Sequence, residues 1–222
     1  MRATGYCAAA SAVVLCLLNS AWATSQSWDG GAGSGLWTNN VNWSSNTAYP
    51  VTDDTATFNG TGANYTNISV AGLSAIKYIT FDGNLSTYFI GLEPLNSQTL
   101  VMRNDGNYRM TASCRSNQFF NTAIQLGPDI ASGTYYFQND HAVRTLSFLG
   151  NLTCPVNTGT AGDKSINVNG LGSTRFLGNV TRGFANNLDV TINSPNTTVL
   201  SGTNLLRILR LNGGASSVLD IG

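Results

Sequence analysis

The residues of this 222-residue chain best suited to chemistry are a few charged and aromatic side chains near its middle. Arg103, Arg109 and Arg115 recur at a spacing of six, with Asp105 among them. Even spacing on an extended strand keeps side chains on one face. The set therefore reads as a face for an anionic glycan, or as the carboxylate and base of a polysaccharide-cleaving site. The competing reading is the scattered charge that a polar sheet face ordinarily carries. Tyr135-Tyr136-Phe137 and Phe119-Phe120 offer ring faces for stacking on sugars, against a reading in which alternate members pack the core.

Other candidates are weaker. His141 is the only histidine, which severely limits His-based triads and multi-His metal sites. Beside Asn139-Asp140 it reads as a turn residue. Asp53-Asp54 could bind a cation or act as a carboxylate pair, but neighbours on a strand point to opposite faces. They read as a turn before the strand Thr55 to Phe58. No phosphate-cradling Gly-Lys motif and no Cys-x-x-Cys pair is present. The sequence thus nominates no catalytic residue, no metal ligand set and no cofactor, and an enzyme is not the expectation.

The N-terminus reads as an export signal. Arg2 is followed by the apolar stretch Cys7 to Leu18, then by Ala21-Trp22-Ala23, the small-x-small pattern of a cleavage site. Residues 1–23 form this segment, with cleavage expected before Thr24. No later apolar stretch approaches the roughly 20 residues of a membrane helix. Charged residues are only 10% of the chain and formal net charge is zero, against about 25% charged in ordinary soluble domains. No basic patch points to nucleic acid. Cys7 and Cys16 leave with the signal, so Cys114 and Cys154 face an oxidising compartment. Their spacing of 40 is about two rungs of a coil with roughly 20 residues per rung. Two rungs at ~4.8 Å exceed the ~7 Å between Cα atoms that a disulfide tolerates. A disulfide therefore requires longer loops that bring the two to adjacent rungs.

The elements that must position these residues are short strands. Ile79-Thr80-Phe81, Leu146-Ser147-Phe148, Ile166-Asn167-Val168, Val190-Thr191-Ile192 and Leu209-Arg210-Leu211 each alternate apolar and polar, and each runs into Gly, Asn or Asp. A repeat joins them. Asp163 to Val180 aligns on Asn187 to Asn204 without gaps at an offset of 24, matching Asn169 with Asn193, Thr174 with Thr198 and Gly178 with Gly202. At an offset of 19, Val190, Ile192 and Asn193 match Leu209, Leu211 and Asn212. A looser copy sets Leu146 to Asn151 against Thr174 to Asn179. Periods of roughly 20 residues, with two short strands per unit, predict an all-β β-solenoid; the alternative is a β-sandwich. One rung buries too little apolar surface to offset the ordering of its backbone, so rungs must stack and both ends need covering. Trp28, Trp37 and Trp43 predict a Trp/Gly-rich cap over residues 24–60. Rungs are expected over 61–222, stopping in mid-rung at Leu219-Asp220-Ile221-Gly222. That ending suggests a truncated chain or an end covered by another molecule.

Residues 28–58 carry a resemblance. Trp28-Asp29-Gly30-Gly31, Trp37, Asn42-Trp43, Pro50, Asp53-Asp54, Ala56 and Phe58 resemble the opening of bacterial proteins with autotransporter-associated β-strand repeats. Ile76 to Asn84 resembles the next element, and Thr198 to Asn204 with Leu211-Asn212-Gly213-Gly214 looks like the start of the repeat. The resemblance implies a right-handed parallel β-helix of passenger type, structural or adhesive, at the bacterial outer-membrane surface or outside the cell. Its partners would be cell-surface glycans or other surface proteins. It also implies further repeats or a barrel beyond the C-terminal end. This chain departs from the family in having only degraded Gly-rich repeats and no barrel or sorting tail.

Overall fold

The computed structural model describes residues 23–60, 65–83, 86–127, 132–154, 162–183, 187–212 and 219–220. The proposed export signal lies outside the described residues, apart from Ala23. The chain is all-β: a right-handed parallel β-helix of about 6 turns. Its one helical element among these residues is a 3-10 turn at Asn40–Asn42.

The coil opens with β1 (Ser25–Ser27), passes through the tryptophan-rich loop, and returns as β2 (Thr52–Phe58) and β3 (Asn67–Ile68). The next turn is β4 (Ile76–Phe81), β5 (Phe89–Ile90) and the start of β6 (Thr99–Met110). The end of β6 opens the turn completed by β7 (Gln118–Phe120) and β8 (Ala123–Leu126). Then follow β9 (Gly133–Asn139), β10 (Thr145–Phe148) and β11 (Leu152–Thr153), and β12 (Lys164–Asn169), β13 (Ser173–Phe176) and β14 (Val180–Thr181). The last described turns are β15 (Leu188–Ile192), β16 (Thr198–Leu200) and β17 (Asn204–Leu205), then β18 (Ile208–Leu211) and β19 (Leu219–Asp220). Each full turn thus has three strands rather than two.

Three faces result. Face one stacks β1, β2, β4, the end of β6, β9, β12, β15 and β18. Face two stacks β3, β5, β7, β10, β13, β16 and β19. Face three stacks the start of β6, β8, β11, β14 and β17. β6 serves faces one and three because it bends at Asp105, whose φ of 58° turns the corner. One register row on face one reads Thr55, Tyr78, Asn107, Tyr136, Asn167, Thr191, Arg210. The row advances by unequal steps, longest from Tyr136 to Asn167 and shortest from Thr191 to Arg210, so the turns differ in length. The offsets of 24 and 19 read from the sequence are literal strand registers, as is the looser copy that sets Leu146 on Thr174.

The core is built from rows of one side chain per turn. Ile79, Tyr108, Phe137, Val168 and Ile192 form the row inside face one, all buried. Inside face two, Ile68, Ile90, Phe120, Phe148, Phe176 and Leu200 stand in register. The rings of Phe120, Phe148 and Phe176 stack at 4.7 and 5.0 Å, the spacing that adjacent strands impose. At the N-terminal end Trp28, Trp37 and Trp43 are buried and gather on Phe58, with ring centroids 6.0, 5.7 and 5.8 Å away. Their indole N–H groups donate to the carbonyls of Tyr65, Pro50 and Trp37, so no buried donor among the three is orphaned.

Candidate functional site

The structure separates the charged set expected on one strand face. Arg103 lies on β6 before the bend, Asp105 is exposed on the bend itself, and Arg109 is exposed on face one. Arg115 sits beyond the strand, in the loop after Met110. Even spacing fails as a guide because Asp105 adopts a left-handed conformation and β6 ends before Arg115. Arg109 pairs with Asp140 of the next turn, at 2.7 Å, rather than with Asp105.

The aromatic candidates divide by the alternation of the strands. Tyr135 and Phe137 are buried, while Tyr136 points outward, half-buried. The Tyr135 hydroxyl donates to Asn104 Oδ1. Phe120 is buried, but Phe119 points out of face two and stacks on Phe89 with centroids 5.1 Å apart and planes 11° from parallel. His141 closes a turn: its Nδ1 accepts from the backbone N–H groups of Val143 and Arg144 at 3.1 and 3.0 Å. Asp54 accepts from Thr24 and Val51 at the irregular start of β2, and Asp53 is exposed. Cys114 and Cys154 are two separate buried thiols. The uneven loops do bring them to adjacent turns, but to different corners: Cys114 lies between faces one and two, Cys154 at the end of β11 on face three. Burial pushes both thiols up, Cys154 to about 11.

What the fold assembles instead is a strip along the outside of face two. Phe89, Phe119, Ser147, Arg175 and Val199 stand in one register row, in which Ser147 and Val199 are buried and Arg175 is exposed. Beside it, Thr145, Ser173, Arg175, Thr197 and Val199 line an open groove of about 310 Å³. The stacked pair of rings offers apolar surface, and the hydroxyls and the exposed Arg175 guanidinium offer donors and acceptors. Apolar ring surface beside a planar guanidinium and hydroxyls suits a carbohydrate chain lying along the coil axis. Phe89 and Arg175 could not be found from the sequence. Phe89 meets Phe119 only one whole turn later, and that register has no sequence repeat to reveal it. Alternation with the buried Ile90 and Phe176 was the only available sign.

Among the described residues no three His, Cys, Asp or Glu side chains cluster as metal ligands would, and no helix is long and apolar enough to cross a membrane. Comparison with protein-family models, with curated proteins and with solved structures finds no match to this chain.

Proposed function

We propose that this chain is a passive surface protein: an exported β-helix that presents an extended face outside the cell and adheres through it. The observation that carries this reading is the strip on face two, where Phe89 and Phe119 stack and lead into the groove lined by Arg175. A rigid column of parallel turns holds these groups at fixed intervals, so little order is lost when an elongated ligand settles on them. The ligand class favoured is a glycan. The resemblance carried by residues 28–58 supports placing the coil as a passenger-type element of a bacterial outer surface.

Glycan-array binding of the secreted protein, paired with a reducing-sugar assay, tests the reading. Binding without sugar release is expected. Phe119→Ala and Arg175→Ala should each weaken binding about tenfold, equivalent to ~1.4 kcal/mol, with the fold intact because both side chains point outward. Release of reducing ends would replace adhesion by cleavage, and unchanged binding in both variants would move the contact elsewhere.

A further inference from the structure

Lys164 is an anomaly in the coil: a lysine in an inward-facing row, 1% exposed. Its strand partner in the turn below is Gly133, which has no side chain to block the interior. Below Gly133 lies Asn104: a Cβ on Gly133 would stand only 2.6 Å from Asn104 Oδ1. Lys164 therefore reaches across two turns, about 9–10 Å of strand spacing, and its Nζ stands 3.4 Å from Asn104 Oδ1, 60 positions earlier in the chain. The same oxygen accepts a hydrogen bond from the buried Tyr135 hydroxyl, and Lys164 Nζ lies 5.8 Å from the Tyr135 ring centroid. Gly127 closes the other side, since a Cβ there would fall 2.6 Å from the same oxygen. A buried primary amine, a buried hydroxyl and a partly buried carboxamide are thus held together.

We propose that Lys164 and Asn104 are the two halves of a self-formed intramolecular isopeptide bond. In its unprotonated form the Lys164 amine attacks Asn104 Cγ. The Nζ–Cγ bond forms and the Cγ–Nδ2 bond breaks. One proton from Nζ passes to Nδ2, which leaves as ammonia, so no oxidant or other reactant is consumed. The Tyr135 hydroxyl polarises the carbonyl and stabilises the charge that develops on its oxygen. Fixed placement supplies the rest of the advantage, because amine and amide meet without a diffusive encounter. The product ties three successive turns together covalently, which suits a coil under mechanical load. The inference does not depend on the ligand of face two.

Intact-mass measurement and tryptic mapping of the purified full chain, folded as judged by its β circular dichroism, test the proposal. The folded chain should be lighter than its sequence by about 17 Da, the mass of ammonia. The peptide 104–109 should be recovered joined to the peptide 145–175, with cleavage blocked at Lys164. Lys164→Met should restore full mass. Tyr135→Phe, which keeps the ring in place, should lower the joined fraction in a folded chain and so guards against misfolding of the lysine variant. Folded native chain at full mass overturns the proposal. So does a lighter chain whose two peptides remain separate, the mark of a succinimide at another asparagine.

Discussion

Glycines and asparagines at the corners of the coil explain the residues that repeat. A Cβ on Gly150 would lie 2.2 Å from the Thr122 carbonyl oxygen, and one on Gly178 would lie 2.4 Å from that of Gly150. The corner backbone of each turn rests on the carbonyl of the turn before, so Gly recurs where the sequence shows it. Gly178→Ala should cost about 1–3 kcal/mol, read as a lowered midpoint in urea unfolding. Asn169, Asn193 and Asn212 form a ladder by side-chain hydrogen bonds of 2.9 and 3.2 Å. These positions are legible in the sequence because each performs one task once per turn. Asp189 is different. Arg207 grips it through two 2.8 Å bonds and also reaches Asp163 at 2.8 Å, a pairing that no repeat announces. Arg207, with Arg210 beside it, holds the Asp189 carboxyl below its usual range, and the hydroxyls of Ser113 and Thr111 do the same for Asp82. A carboxylate with a lowered folded pKa contributes stability above its unfolded value, about 3.9, and loses it as pH falls through the folded value. The double variant Asp82→Asn/Asp189→Asn should therefore lose less stability than the native chain between about pH 5 and pH 2, measured as urea midpoint against pH.

Strands carry the next level of information. In β12 the alternation of buried Ile166 and Val168 around Asn167 is the one read from the sequence, and β13, Ser173–Phe176, alternates likewise. Their register on β15 and β16 is also legible, because the loops between them keep a constant length across that pair of turns. The longer turns that carry the chain from Tyr78 to Asn107 and from Tyr136 to Asn167 are not legible. Their corner loops differ, so the offset drifts while the strands still align. For the same reason Arg103, Asp105, Arg109 and Arg115 look like one face in the sequence, although a bend and a loop divide them. At this scale the aromatic column is the main energetic element. Phe148 stacks on both Phe120 and Phe176 and meets Phe137 edge-on at 4.8 Å. Phe148→Ala should cost about 3–5 kcal/mol, whereas Asn193→Ala on the exposed ladder should cost about 0.5–1.5 kcal/mol. Equal losses in chemical denaturation would place the stability in the ladders rather than in the core.

The whole molecule behaves as a stack in which each turn depends on its neighbours. The buried indoles of Trp28, Trp37 and Trp43 pack on Phe58 at one end. Toward the other, Leu209 and Leu211 stand in register with the buried Val190 and Ile192, yet they are 36% and 52% exposed. Hydrogen exchange should accordingly be slowest in β7 to β13 and fastest in β17 and β18. A stack of this kind was readable from composition and periodicity, because poorly charged, Asn- and Gly-punctuated short strands can bury their apolar rows only against copies of themselves. The third strand of each turn and the strip on face two were not, since both depend on corners that differ from turn to turn. Engineered disulfides probe the coil most directly. Asn167 and Thr191 are in register on adjacent turns, a Cα separation of about 4.8 Å that a disulfide accepts. Tyr136 and Thr191 lie two turns apart. Twice the strand spacing is about 9–10 Å, which a disulfide cannot span. Under mild oxidation Asn167→Cys/Thr191→Cys should close and Tyr136→Cys/Thr191→Cys should stay open. Closure of the second pair in preference to the first would contradict the registered parallel coil.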